Sequence, residues 1–167
     1  TAALTTSQVQ ALTTEHVQGL SATQLISLST AQMASMQTAD VAALSVTQVA
    51  GLSTANVAAL SSTQAQALSS AQVASLTTTQ IGALETADLS AMSTAQLAGL
   101  SVTQIGKLST AQAAALTTGQ VAGLSATQVA SLSSAATAAL TTSQVQALTT
   151  AQVQSLSVTQ LNSLTTA

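Results

Sequence analysis

The chain has 167 residues, one Lys, four acids and one His, for a formal net charge of −3, and it contains no Cys, Pro, Phe, Tyr, Trp or Arg. No basic patch or aromatic platform is present, which removes both the electrostatic and the stacking basis of nucleic-acid binding. The apolar fraction is high, 47%, yet hydroxyls and glutamines interrupt every stretch long before the ~18 apolar residues of a transmembrane helix. The absence of Cys excludes disulfide and thiolate-metal frameworks.

From Leu4 onward the sequence is one eight-residue unit repeated: Leu, Ser/Thr, Thr, Ala/Thr, Gln, Val, a variable residue and a small residue. We label these positions a to h. Position a is Leu in all octads except those of Met36 and Met92, and b is Ser or Thr except at Gln37 and Glu85. Position e is Gln except at His16, Asp40, Asn56, Asp88 and Ala136. Composition does not change along the chain, so residues 1–167 read as a single elongated repeat module without an internal boundary or polar capping repeats. The sequence starts in mid-octad at f and stops at d, without a signal peptide, as expected of an excerpt or mature segment.

Ser or Thr at b followed three residues later by Gln at e is the pattern of a capping box, in which the hydroxyl accepts the N3 amide proton and the Gln side chain returns to the cap amide. Leu at a and Val, Ile or Leu at f then occupy the N′ and N4 positions of a hydrophobic staple. The first predicted helix therefore follows Thr5, the second Thr13 and the third Ser21, and a new one begins in each octad through Ser157. Each runs from c to about h. A continuous helix is excluded by phase: at ~100° per residue an eight-residue period drifts by about 80° per repeat and leaves Leu on no fixed face. A β-solenoid is disfavoured by the Ala, Gln and Leu content and by the lack of Asn-Gly or Asp-Gly corners. A single octad cannot offset the entropy of ordering itself with one Leu and one Val. The expected fold is an all-α solenoid of very short helices, one per octad, with a and f lining its axis and the small h residues letting turns approach.

A second pattern lies within the first. Position d carries a hydroxyl at Ser7, Thr23, Thr47, Thr63, Thr79, Thr103, Thr127, Ser143 and Thr159 and is mostly Ala elsewhere. The mean interval of about 2.4 octads predicts a superhelix of that pitch, with Thr47, Thr63, Thr79 and Thr103 along one side and Ala39, Ala55, Ala71 and Ala95 mainly on the other. Val46, Val102 and Val158 at c are spaced by seven octads, as are Met36 and Met92, which fits either three superhelical turns or an ancestral 56-residue duplication. The candidate lateral interface consists of Val46, Val102 and Val158 with the neighbouring Thr47, Thr103 and Thr159.

No residue set points to catalysis or to a cofactor. His16 stands alone at a capping position and makes no metal site, and the many Ser residues lack a positioned base and an oxyanion hole. Glu85, Asp88 and Asp40 occupy cap or N3 positions, where a carboxylate is favoured by the helix terminus itself. Nineteen residues separate Asp88 from Lys107, so a pitch of about 2.4 octads would stack them as a structural salt bridge. Four scattered acids are too few for the oxygen-rich loops of calcium-binding repeats, and no calcium is expected.

Octads such as those beginning at Leu148 (LTTAQVQS) and Leu44 (LSVTQVAG) resemble the octapeptide arrays of very large secreted or surface adhesin-like proteins of Gram-negative bacteria. The resemblance covers the whole chain and implies an extracellular or cell-surface spacer, with no functional residue carried over. We therefore expect a structural protein, a stalk segment or filament subunit that associates laterally or end to end with copies of itself, since an uncharged surface offers little repulsion. The expected partners include no nucleic acid and no small-molecule substrate, and no enzymatic activity is expected. The alternative is a binding module presenting a regular Thr/Ser array to ice or another ordered surface.

Overall fold

The computed structural model describes residues 4–164. Among these residues are twenty helices of four to seven residues, from α1 (Thr6–Gln10) to α20 (Val158–Leu164), one in each octad. Each starts at c. The b residue before it is extended, as at Ser45 with φ −71° and ψ 158°, and its hydroxyl accepts the amide proton of Gln48 while the Gln48 Oε1 accepts that of Ser45 at 2.7 Å. This capping box recurs along the chain, and His16 fits it too: its Nδ1 accepts the Thr13 amide proton at 3.2 Å. Helix ends need no left-handed residue, for no described residue has positive φ. Instead the a residue turns extended, as at Leu68 with φ −63° and ψ 137°. Two consecutive extended residues, a and b, thus make the corner between one helix and the next.

Helices three apart in sequence pack on one another, as α5 (Thr38–Ala43) does on α8 (Ser62–Ala67) and α8 on α11 (Thr86–Ala91). The solenoid is thereby formed, with its core where the staple positions predicted it. The f residues from Val9 to Val129 and the a residues from Leu28 to Leu140 are buried, and together they form one continuous apolar cluster.

The pitch differs from the expected 2.4 octads. Gln48 donates from Nε2 to the carbonyls of Leu20, Gln18 and Val17, which lie 28, 30 and 31 residues earlier. The same three separations recur from Gln64 to Met36, Ala34 and Met33. Each helix thus sits over the junction between the third and fourth helices before it, and one turn takes about 28 residues, three and a half octads. A d-position count could not find this value, because d faces outward on every side: Thr47, Thr63 and Thr79 are exposed, and so are Ala39, Ala55, Ala71 and Ala95. Small residues at h serve the expected purpose of close approach. The h residue Gly51 faces the Cβ of Ala22 in the turn below, and a side chain on Gly123 would run into Thr94.

Candidate functional site

Three features stand out from the repeat: the row of side chains at e, the two octads with acids at e, and the outward apolar residues at c.

Position e is a third interior position. From Gln32 to Gln160 every e residue is buried, and where it is Gln the polar side chain is accommodated because its amide is bonded at both ends. Its oxygen closes the capping box of its own helix, and its nitrogen meets the carbonyls that the earlier helix leaves open at its C-terminus. Gln104 shows the arrangement: Oε1 accepts the Ser101 amide proton at 2.7 Å, and Nε2 donates to the Leu76 and Ala74 carbonyls at 2.6 and 3.0 Å. Asn56, one methylene shorter, reaches the Leu25 carbonyl at 3.3 Å. A column of buried amides therefore stitches successive turns. Spacing within the octad reveals only the capping half of this role, since the carbonyls that Gln serves are distant in sequence.

Asp40 and Asp88 stand in this column. Both are buried, 3% and 2% exposed, and each has an Oδ2 without a hydrogen-bond partner. Burial raises the pKa of both carboxyls. For Asp88, the Ser62 hydroxyl, donating to Oδ1 at 2.9 Å, opposes that shift, and the nearby Glu85 carboxylate adds to it. The cap residue is unusual in these same two octads. Gln37 and Glu85 make no side-chain cap bond, and Gln37 instead donates from Nε2 to the Gln10 carbonyl at 2.6 Å. These are the two octads in which b and e depart from the repeat together. The favourable helix-terminus setting expected of Asp40 and Asp88 is accordingly only part of their environment.

The expected Asp88–Lys107 salt bridge is not formed. Asp88 is buried against Ser62, 26 residues earlier, while Lys107 projects into solvent. At 28 residues per turn, a separation of nineteen places the two residues on different sides of the rod.

Val46, Val102 and Val158 are exposed by 45%, 47% and 74%. Their spacing of seven octads is two whole turns at three and a half octads per turn, so the three lie on one line along the rod, together with the exposed Thr47, Thr103 and Thr159. The wider alignment expected of the d hydroxyls does not hold. Thr63 follows Thr47 by two octads, more than half a turn, and faces away from it. The d hydroxyls are distributed around the rod, with no single hydroxyl-bearing side. A depression of about 390 Å³ is an open groove between turns, lined by Gln66, Ser69, Ser70, Ser93 and Gln96 with Leu68 and Ala91. None of these lining side chains is titratable. No group of three or more potential metal-binding His, Cys, Asp or Glu side chains occurs among the described residues, and no helix there is long and apolar enough to cross a membrane.

Short capped helices, a repeating apolar stripe and turn-to-turn amide stitching define a tandem-repeat α-solenoid. The ALTTAQ repeat profile matches residues 33–70, 81–118 and 114–150, well over half of the chain, and the protein belongs to the ALTTAQ repeat family. Neither the curated proteins nor the solved structures yielded a match to this chain.

Proposed function

We propose that the chain is a structural extracellular repeat module, a stalk segment or filament subunit that contacts copies of itself, as in the adhesin-like surface arrays of Gram-negative bacteria that its octads resemble. The observation that carries this reading is the line of Val46, Val102 and Val158, exposed in register every second turn on a face nearly free of charge. Turns packed at the ~8–10 Å of helix layers would set these apolar residues roughly 16–20 Å apart, a regular spacing that a second rod of the same pitch can match. Apolar side chains recurring in this way favour an interface over a solvated wall. Low charge removes long-range repulsion between rods. The buried amide column contributes to the same role by coupling each turn to the next, so the module resists extension as a unit.

The test is the assembly state of the full chain against a triple variant carrying Val46→Lys, Val102→Lys and Val158→Lys. Sedimentation and electron microscopy of the native chain should show bundles or filaments that the variant lacks at unchanged helical circular dichroism. A native chain that remains monomeric at high concentration, or assemblies indifferent to all three substitutions, overturns self-association through this face.

A further inference from the structure

In most turns the column at e ends in an N–H donor. Gln80 donates to the carbonyls of Val49, Ala50 and Leu52, and Gln96 to those of Ala65, Gln66 and Leu68. The intervening octad has Asp88 at e, and the same register assigns it the carbonyls of Val57, Ala58 and Leu60 at the end of α7 (Thr54–Ala58). Two other residues of this chain show where side chains of these lengths arrive. Asn56, the isostere of Asp at e, places Nδ2 at 3.3 Å from a carbonyl 31 residues earlier; for Asp88 that carbonyl belongs to Val57. Gln37, the isostere of Glu at b, places Nε2 at 2.6 Å from a carbonyl 27 residues earlier; for Glu85 that carbonyl belongs to Ala58. At the two positions where Gln37 and Asn56, in separate octads, set donors against helix-end carbonyls, this octad has acids at both.

We propose that Glu85 and Asp88, with the backbone carbonyls of Val57, Ala58 and Leu60, form a site for a divalent, oxygen-seeking cation of the calcium class. Asp88 is 2% exposed and its Oδ2 has no hydrogen-bond partner, while Oδ1 is already engaged by the Ser62 hydroxyl. By the register of the flanking octads a carboxylate at this position meets carbonyl oxygens, and buried oxygens so placed require a proton or a cation between them. Calcium takes six to eight oxygens at ~2.3–2.6 Å, including backbone carbonyls and waters. Two carboxylates balance the ionic charge, and Glu85, at the exposed rim, leaves room for the remaining ligands to be water. Magnesium fits less well, because it dehydrates reluctantly and demands near-octahedral geometry. Counting side chains alone overlooks this site, for most of its oxygens are main-chain. Asp40 is the built-in contrast: its octad has a single carboxyl, and Gln37 supplies an amide to the Gln10 carbonyl, so no cation is drawn there.

The experiment compares thermal unfolding of the full chain in millimolar calcium, in millimolar magnesium and in chelator at neutral pH, alongside calcium titration calorimetry. The native chain should bind one calcium and unfold at a higher temperature in calcium than in chelator, with a smaller shift in magnesium. Asp88→Asn and Glu85→Gln reproduce residues that this chain already accommodates at equivalent positions, so both should keep the helical spectrum in chelator and lose the calcium shift. Asp40→Asn should retain it. A native chain with the same unfolding temperature in calcium and chelator overturns the site and leaves a proton as the counter-charge of Asp88; so does a calcium shift that survives Asp88→Asn.

Discussion

The Nε2 of Gln48 lies 2.7 Å from the carbonyl oxygen of Leu20, 28 residues earlier, and the same side chain's Oε1 accepts the amide proton of Ser45 three residues earlier. One amide thus closes a local cap and a distant turn together. Its removal would leave the Ser45 N–H and several carbonyls without this partner, at about 1–3 kcal/mol for each group that water cannot reach. Gln104→Ala, at the equivalent position, should therefore lower stability by at least about 2 kcal/mol in urea unfolding. Gln66→Ala should stay within ~0.5 kcal/mol, because its side chain is exposed and stands outside the stitching column. Equal losses at the two positions would contradict the stitching role of e.

The apolar stripe and the caps give a second comparison. Leu84 is 3% exposed within the a/f cluster, and truncation to Ala should cost about 2–5 kcal/mol. The Ser101 hydroxyl accepts the Gln104 amide proton, so Ser101→Ala should cost about 0.5–2 kcal/mol. The order Leu84 above Ser101, measured by denaturant unfolding, checks that packing outweighs any single cap.

The buried carboxyl of Asp40 makes stability depend on pH. Burial raises its pKa in the folded chain, so the folded state holds the proton more tightly than the unfolded one. The associated stability is fully present below the unfolded carboxylate pKa of about 3.9 and is lost as pH rises through the higher folded value. Asp40→Asn should flatten this dependence and raise stability at neutral pH relative to the native chain, in chelator, where the second buried carboxyl contributes identically to both. Stability whose climb with pH across the carboxylate range disappears in Asp40→Asn would reverse the assignment.

Lys107 projects into solvent and Asp88 is engaged elsewhere. A double-mutant cycle with Lys107→Ala and Asp88→Asn should give a coupling within about 0.5 kcal/mol of zero, as for sites with no shared partner. A coupling that weakens with added salt would instead reveal an ion pair between them.

What spacing reveals about an octad depends on the range of the interaction concerned. Ser45, Gln48 and Val49 lie within one helical turn, so the cap, the staple and the burial of a and f are legible in the sequence: they are decided by residues three or four apart. The line of Val46, Val102 and Val158 is visible there as an interval, but its meaning is not. That meaning depends on the pitch, and the d residues that suggested one are in solvent and feel no constraint from neighbouring turns.

In this ALTTAQ repeat protein the start of each helix, its end and the two apolar positions that face the core are written in the octad, because capping and stapling are local. The 28-residue turn, the burial of position e and the separation of Asp88 from Lys107 arise only when the turns stack. They depend on which helix ends come to lie beneath a given Gln, and carbonyls 28 to 31 residues away have no signature in the side-chain sequence, since every residue carries one.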